Sequence, residues 1–139
     1  GNTCLLLAAS GGHLDVVKWL FQHGSSLEEM NLKGNTSILL AALEGHLKVV
    51  KWLLKCGSSL KERNKEGNTC LLLAASGGHL DVVKWLFQHG SSLEEMNLKG
   101  NTSILLAALE GHLKVVKWLL KCGSSLKERN KEGNTCLLL

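Results

Sequence analysis

The chain has 139 residues, 45% hydrophobic and 20% charged, with a formal net charge of +4, 15 glycines and neither proline nor tyrosine. That balance excludes a disordered or collagen-like chain. No apolar run is long enough to span a bilayer as a helix.

Taken in order, Thr3 reads as an N-cap in front of the apolar run Cys4-Leu5-Leu6-Leu7-Ala8-Ala9. Six apolar residues in a row also suit a buried strand. The Leu/Ala content and the following Ser10-Gly11-Gly12 favour a short helix ended by glycine. A second helix is predicted from about Leu14 to His23. Its Val16, Val17, Leu20 and Phe21 share one broad apolar face. Gly24 ends it. Ser25 to Lys33 is polar and leads to the turn signal Gly34-Asn35.

This pattern then repeats. Residues 1–33 and 34–66 align without gaps and share 21 of 33 positions, which defines types A and B. Residues 67–139 repeat 1–73 letter for letter. The order is A-B-A-B over 1–33, 34–66, 67–99 and 100–132, and 133–139 starts a fifth unit. One such unit is too small to bury a core alone, whereas stacked units bury each other's faces. The expected core is Leu5, Leu6, Ala8, Ala9, Val16, Val17, Leu20, Phe21 and their copies.

Gly1-Asn2-Thr3, Leu5, Ala8-Ala9, Gly12-His13, Val16-Val17, Leu20 and Gly24, spaced at 33 residues, resemble the ankyrin repeat. The resemblance covers the chain and recurs four times. It implies an all-α repeat solenoid in which each unit supplies two antiparallel helices and a β-hairpin. It implies a structural role for His13, His46, His79 and His112. It also implies a protein-protein interaction module. The family's Thr-Pro-Leu-His stands here as Thr3-Cys4-Leu5-Leu6 and Thr36-Ser37-Ile38-Leu39. Leu6 and Leu39 are therefore expected to replace a polar contact between units with an apolar one.

Twelve positions separate A from B, and several reverse charge. Asp15, Lys48, Asp81 and Lys114 form one alternating ladder, and Glu28, Lys61, Glu94 and Lys127 another. Lys33, Glu66, Lys99 and Glu132 form a third. Packed helices lie roughly 8–10 Å apart, so alternation makes each stacking contact complementary. Lys48 sits where a helix N-terminus disfavours a cation by about 0.3–1 kcal/mol, and flanking aspartates offset that. Trp19, Trp52, Trp85 and Trp118 hold one equivalent position. They read either as packed residues that widen the core or as a row of indoles for a lateral interface.

The five cysteines, Cys4, Cys56, Cys70, Cys122 and Cys136, do not make a disulfide framework. Those two units apart lie too far apart to bridge. Free thiols point to a reducing compartment, and Cys4 is expected to be a small buried apolar residue. The row His23, Cys56, His89, Cys122 does not converge as zinc ligands must. No phosphate-binding, metalloprotease or nucleophile-elbow motif occurs, and duplicated units build the same surface twice rather than one convergent site. The expectation is a non-enzymatic protein with no cofactor, no metal, no nucleic-acid partner and no membrane partner. Asn35-Thr36-Ser37 and Asn101-Thr102-Ser103 match the glycosylation sequon, but Thr36 reads first as an N-cap. Neither end carries the polar cap that a solenoid needs. The reading is a structural array, part of a long or end-to-end stacked filament or scaffold, whose partner is further copies of itself. The alternative is a module that binds a different protein.

Overall fold

The computed structural model describes residues 1–138. Eight helices occur in four pairs: α1 Cys4–Ser10 and α2 Leu14–Gln22, α3 Ser37–Leu43 and α4 Leu47–Lys55, α5 Cys70–Gly77 and α6 Leu80–Gln88, α7 Ser103–Leu109 and α8 Leu113–Lys121. A short 3-10 turn covers Cys136–Leu138. The first helices of the pairs stack tightly on one another in chain order, and each second helix packs on its own partner. The second helices touch one another much less, which leaves them as an outer layer. The architecture is an all-α solenoid. Among the described residues no strand is formed, so the hairpin that the resemblance implied is reduced to a tight loop.

That loop is closed by asparagine. The Asn31 N–H donates to the Asn35 carbonyl at 3.1 Å. The Asn31 Oδ1 accepts from the N–H groups of Lys33 and Asn35, both at 3.0 Å. Asn64, Asn97 and Asn130 repeat the arrangement. Each then donates Nδ2 to an asparagine 29 residues earlier: Asn64 to Asn35 at 2.9 Å, Asn97 to Asn68 at 3.0 Å and Asn130 to Asn101 at 3.0 Å. One backbone bond joins neighbouring loops, as from Lys65 N–H to Lys33 O at 3.0 Å. A single bond per junction is too little for a β-ladder, which is why strands do not appear. Asn35 and Asn101 are buried by this packing. The folded chain does not present their amides as glycosylation acceptors.

Histidine and glycine lock adjacent units. His46 Nε2 lies 2.9 Å from the Ser10 carbonyl, and His112 Nε2 lies 2.9 Å from that of Ser76. Gly12, Gly45 and Gly78 have φ of +75°, +82° and +77°. A Cβ on any of them would collide with the imidazole of the next unit, His46, His79 or His112. The glycine is thus required twice, for its left-handed backbone and for the close approach of the ring.

The core follows the expected list in the two internal units except at the Phe21 position, which is half-buried in every unit, and departs from it further in the first and last units. Leu5, Leu6, Ala8, Ala9 and Val17 are buried, as are Leu39, Leu72 and Leu105 at the Leu6 position. Val16 is 44% exposed, whereas Val49, Val82 and Val115 are covered. Leu20 is half-buried while Leu53, Leu86 and Leu119 are fully buried, and Phe21 and Phe87 are half-buried. The same letters have different neighbours, because a unit's face is covered only where another unit follows or precedes it. Cys4 is exposed for that reason and not buried as expected. Its copy Cys70 is buried, with its thiol 3.9 Å from the Ile38 carbonyl. Burial, then the negative charges of Glu62 and Glu95, push the Cys70 thiol far above its ordinary pKa.

Thr3 and Thr69 cap their helices only at long range, 3.4 Å to the N–H of Leu6 and Leu72. Thr36 makes no side-chain cap. Its hydroxyl donates instead to Glu62 Oε1 at 2.7 Å, and Thr69 donates likewise to Glu95 Oε1 at 2.6 Å. Of the partial fifth unit, Leu137 is 85% exposed and Cys136 is half-buried. Leu139 and the side chain of Leu138 lie outside the described residues.

Candidate functional site

Two open grooves occur, 66 residues apart and lined by the same twelve positions. Each lies at a junction from an A unit to the following B unit. In the first, Phe21, Leu27 and Met30 supply apolar surface from unit A, and Cys56, Ser58, Glu62 and Arg63 come from unit B. Its volume is about 900 Å³. The second, of about 810 Å³, repeats this with Phe87, Leu93, Met96, Cys122, Ser124, Glu128 and Arg129.

The walls are held from outside the groove. Arg63 Nη1 donates to the carbonyls of Gly67 at 2.7 Å and Met96 at 2.9 Å, which ties one groove to the loop of the next unit. Arg129 Nη1 donates to Gly133 O at 2.7 Å. Among the described residues, the hydroxyls of Ser58 and Ser124 are buried without a hydrogen-bonding partner. An apolar floor with a few polar groups that converge is what a peptide or side-chain recognition site needs.

Most of the predicted site residues lie elsewhere. Asp15, Lys48, Asp81 and Lys114 are exposed in the first turns of α2, α4, α6 and α8. The Asp15 and Asp81 carboxylates accept from the N–H of Val16 at 2.9 Å and Val82 at 2.8 Å. Lys48, Lys51 and Asp81 line one depression across two units, and no ion pair joins members of the ladder among the described residues. Glu28, Lys61, Glu94 and Lys127 are exposed in the loops, where their N–H groups donate to Ser26, Ser59, Ser92 and Ser125. Glu28 and Glu94 also stand at the rims of the grooves.

Trp52, Trp85 and Trp118 pack against the edge of the core, and Trp19 does not. Trp19 is 57% exposed, and Trp52, Trp85 and Trp118 are half-buried. In A units the indole stacks on histidine: Trp19 on His23 and Trp85 on His89, each at 3.9 Å between centroids and 17° between planes. In B units a T-shaped contact replaces it: Phe21 with Trp52 at 5.5 Å and Phe87 with Trp118 at 5.6 Å. The alternation His23/Cys56 is therefore aromatic packing, with the exchange Phe21/Leu54 working alongside it. Among the described residues, no three His, Cys, Asp or Glu side chains gather as a metal would require. Among the described residues, no helix is long and apolar enough to cross a membrane.

The model for ankyrin repeats in three copies matches residues 38–130, and that for ankyrin repeats in many copies matches 5–54. The chain belongs to the ankyrin-repeat family. No curated protein matches it. As an ankyrin-repeat protein it is a protein-interaction module. The grooves were not identified from the sequence, although Met30 and Arg63 stand out as positions where A and B differ. The missing link was spatial: Phe21 and Arg63 are far apart in the chain and meet only once two units are stacked.

Proposed function

We propose that this ankyrin-repeat chain is a self-continuing interaction array, in which the B unit of one copy stacks on the A unit of another. One comparison carries the reading. Leu7 is 57% exposed, while its internal A-type copy Leu73, covered by a B unit, is 6% exposed. The same letters that receive a B unit at the junction of α3–α4 with α5–α6 are open at α1–α2; on the last B unit Cys136 already packs against α7, and a stacked copy would take its place. The charge ladder favours the same pairing, since Lys114 would share a surface with Asp15 as Lys48 does with Asp81. Sedimentation velocity tests this. Assembly should grow with concentration, vanish with Leu7→Lys and weaken with Lys114→Asp. A single species of one chain's mass at millimolar concentration would rule it out.

A second reading, recognition of a different protein, is favoured by the pair of grooves. A ligand that spans both gains from effective concentration. For a peptide selected by display against the chain, Met30→Glu and Met96→Glu should each weaken binding by roughly tenfold or more, and together abolish it. Binding unchanged in the double variant would place recognition elsewhere.

A further inference from the structure

The net charge of the chain is not spread over it. The outer helices α2, α4, α6 and α8 hold eight lysines and two aspartates, a net +6, against +4 for the whole chain. Everything else is therefore net −2. Within the outer layer the excess is concentrated again. Lys48, Lys51 and Lys55 fall on one face of α4, because positions three and four apart are helix neighbours. Lys114, Lys117 and Lys121 do the same on α8, and all six are exposed. On α2 and α6 the equivalent faces read Asp, Lys, Gln and carry no net charge. Each face also holds its tryptophan, and the Lys51 ammonium lies 5.8 Å from the Trp85 ring.

The outer surface thus carries two discrete lysine triplets, about 20 Å apart across two units, with one neutral, acid-bearing stretch between them on α6 and another before the first on α2. We infer that this face docks an acidic protein surface whose carboxylate clusters are spaced by two units, each seated on one lysine triplet beside a half-buried indole.

The aspartates select this class of partner. A continuous polyanion such as duplex nucleic acid gains from an unbroken basic track and is repelled at Asp15 and Asp81. An anionic bilayer responds to summed charge near its surface, so it has no use for the interruption. At physiological salt, charge is screened over about 8 Å. Triplets two units apart therefore act as separate sites, and only a partner with separate clusters matches both. Asp81 then meets neutral or basic residues between those clusters, and Asp15 meets them beside the first. This surface is distinct from the grooves and shares Asp15 and Lys114 with the proposed stacking contact; binding of a monomeric peptide reads docking and not assembly, so the two proposals fail separately.

The test uses the full chain at 150 mM salt, with tryptophan fluorescence and calorimetry as readouts. Two synthetic peptides of identical composition serve as probes. One has two four-glutamate clusters separated by a rigid spacer of about 20 Å, and the other has the glutamates evenly spread. The clustered peptide should bind at least tenfold more tightly, because its second cluster binds intramolecularly. Lys48→Glu/Lys51→Glu/Lys55→Glu should remove that advantage. Lys65→Glu/Lys131→Glu, on the loop side, should not. Asp15→Lys/Asp81→Lys should erase the preference between the peptides while raising affinity for both. Equal binding of the two peptides by the unaltered chain would overturn the proposal. So would tighter binding to phosphatidylserine vesicles or to duplex DNA than to the clustered peptide.

Discussion

Leu53→Ala should lower the stability of the array by about 2–5 kcal/mol, the cost of a large-to-small change in a site that cannot collapse. Leu53 is fully buried within α4, and the inner helices pack on both sides of its unit. Leu86 should behave alike. Leu20→Ala removes the same atoms from the equivalent position of the first unit, where the side chain is only half-buried. Its loss should be clearly smaller, because part of the transfer term is already absent. Urea denaturation of the two variants checks this. Equal shifts in midpoint would mean that burial does not set the cost. In an array held together by neighbour contacts, a weakened central unit also cuts the coupling between the two halves. Leu53→Ala should therefore broaden the transition, and Leu20→Ala should leave its shape unchanged.

Asn97→Ala should cost about 2–4 kcal/mol, more than most polar substitutions. The Asn97 side chain is 7% exposed. It accepts from two backbone N–H groups, those of Lys99 and Asn101, and donates to Asn68 Oδ1. Alanine strands two donors and one acceptor at a closed loop, and unsatisfied buried groups cost more than the bonds themselves contribute. Asn97→Asp keeps the acceptor, and the Asn68 amide can turn to donate in its place, so its loss should be smaller. Asn31→Ala breaks the same pattern at the first unit, where Asn2 is exposed and water replaces the lost partners. Thermal unfolding should rank the three as Asn97→Ala, Asn97→Asp, Asn31→Ala in decreasing damage. An Asn31→Ala loss equal to that of Asn97→Ala would show that the loop, and not its stacking, carries the energy.

The helices were legible because the information for them is local. Apolar spacing and the terminal glycines placed α2 within a residue of its observed end, and the exact repeat carried that reading to α4, α6 and α8. The apolar exchange at Leu6 and Leu39 was legible for the same reason, since both sit inside an unbroken apolar run and are fully buried. What was not legible depends on what lies beside a unit. Cys4 and Cys70 are the same letter in the same local sequence, yet one is exposed and the other buried. Thr36 has the local pattern of an N-cap, yet its side chain accepts from no helix N–H and its hydroxyl donates to Glu62, 26 residues away. The grooves and the lysine triplets belong to this second kind of information. They arise when residues from different turns or different units are brought to one surface.

The reach of the connections has one more consequence. The asparagine bonds between loops span 29 residues, and the histidine contacts span 36. Bonding that never reaches far beyond one unit asks for only short loop closures, whatever the length of the chain. Folding speed falls with the relative sequence separation of contacts, and here that separation shrinks as modules are added. An array of this kind can lengthen without lengthening the search for its native state. Growth can begin at any internal pair of units and spread in both directions.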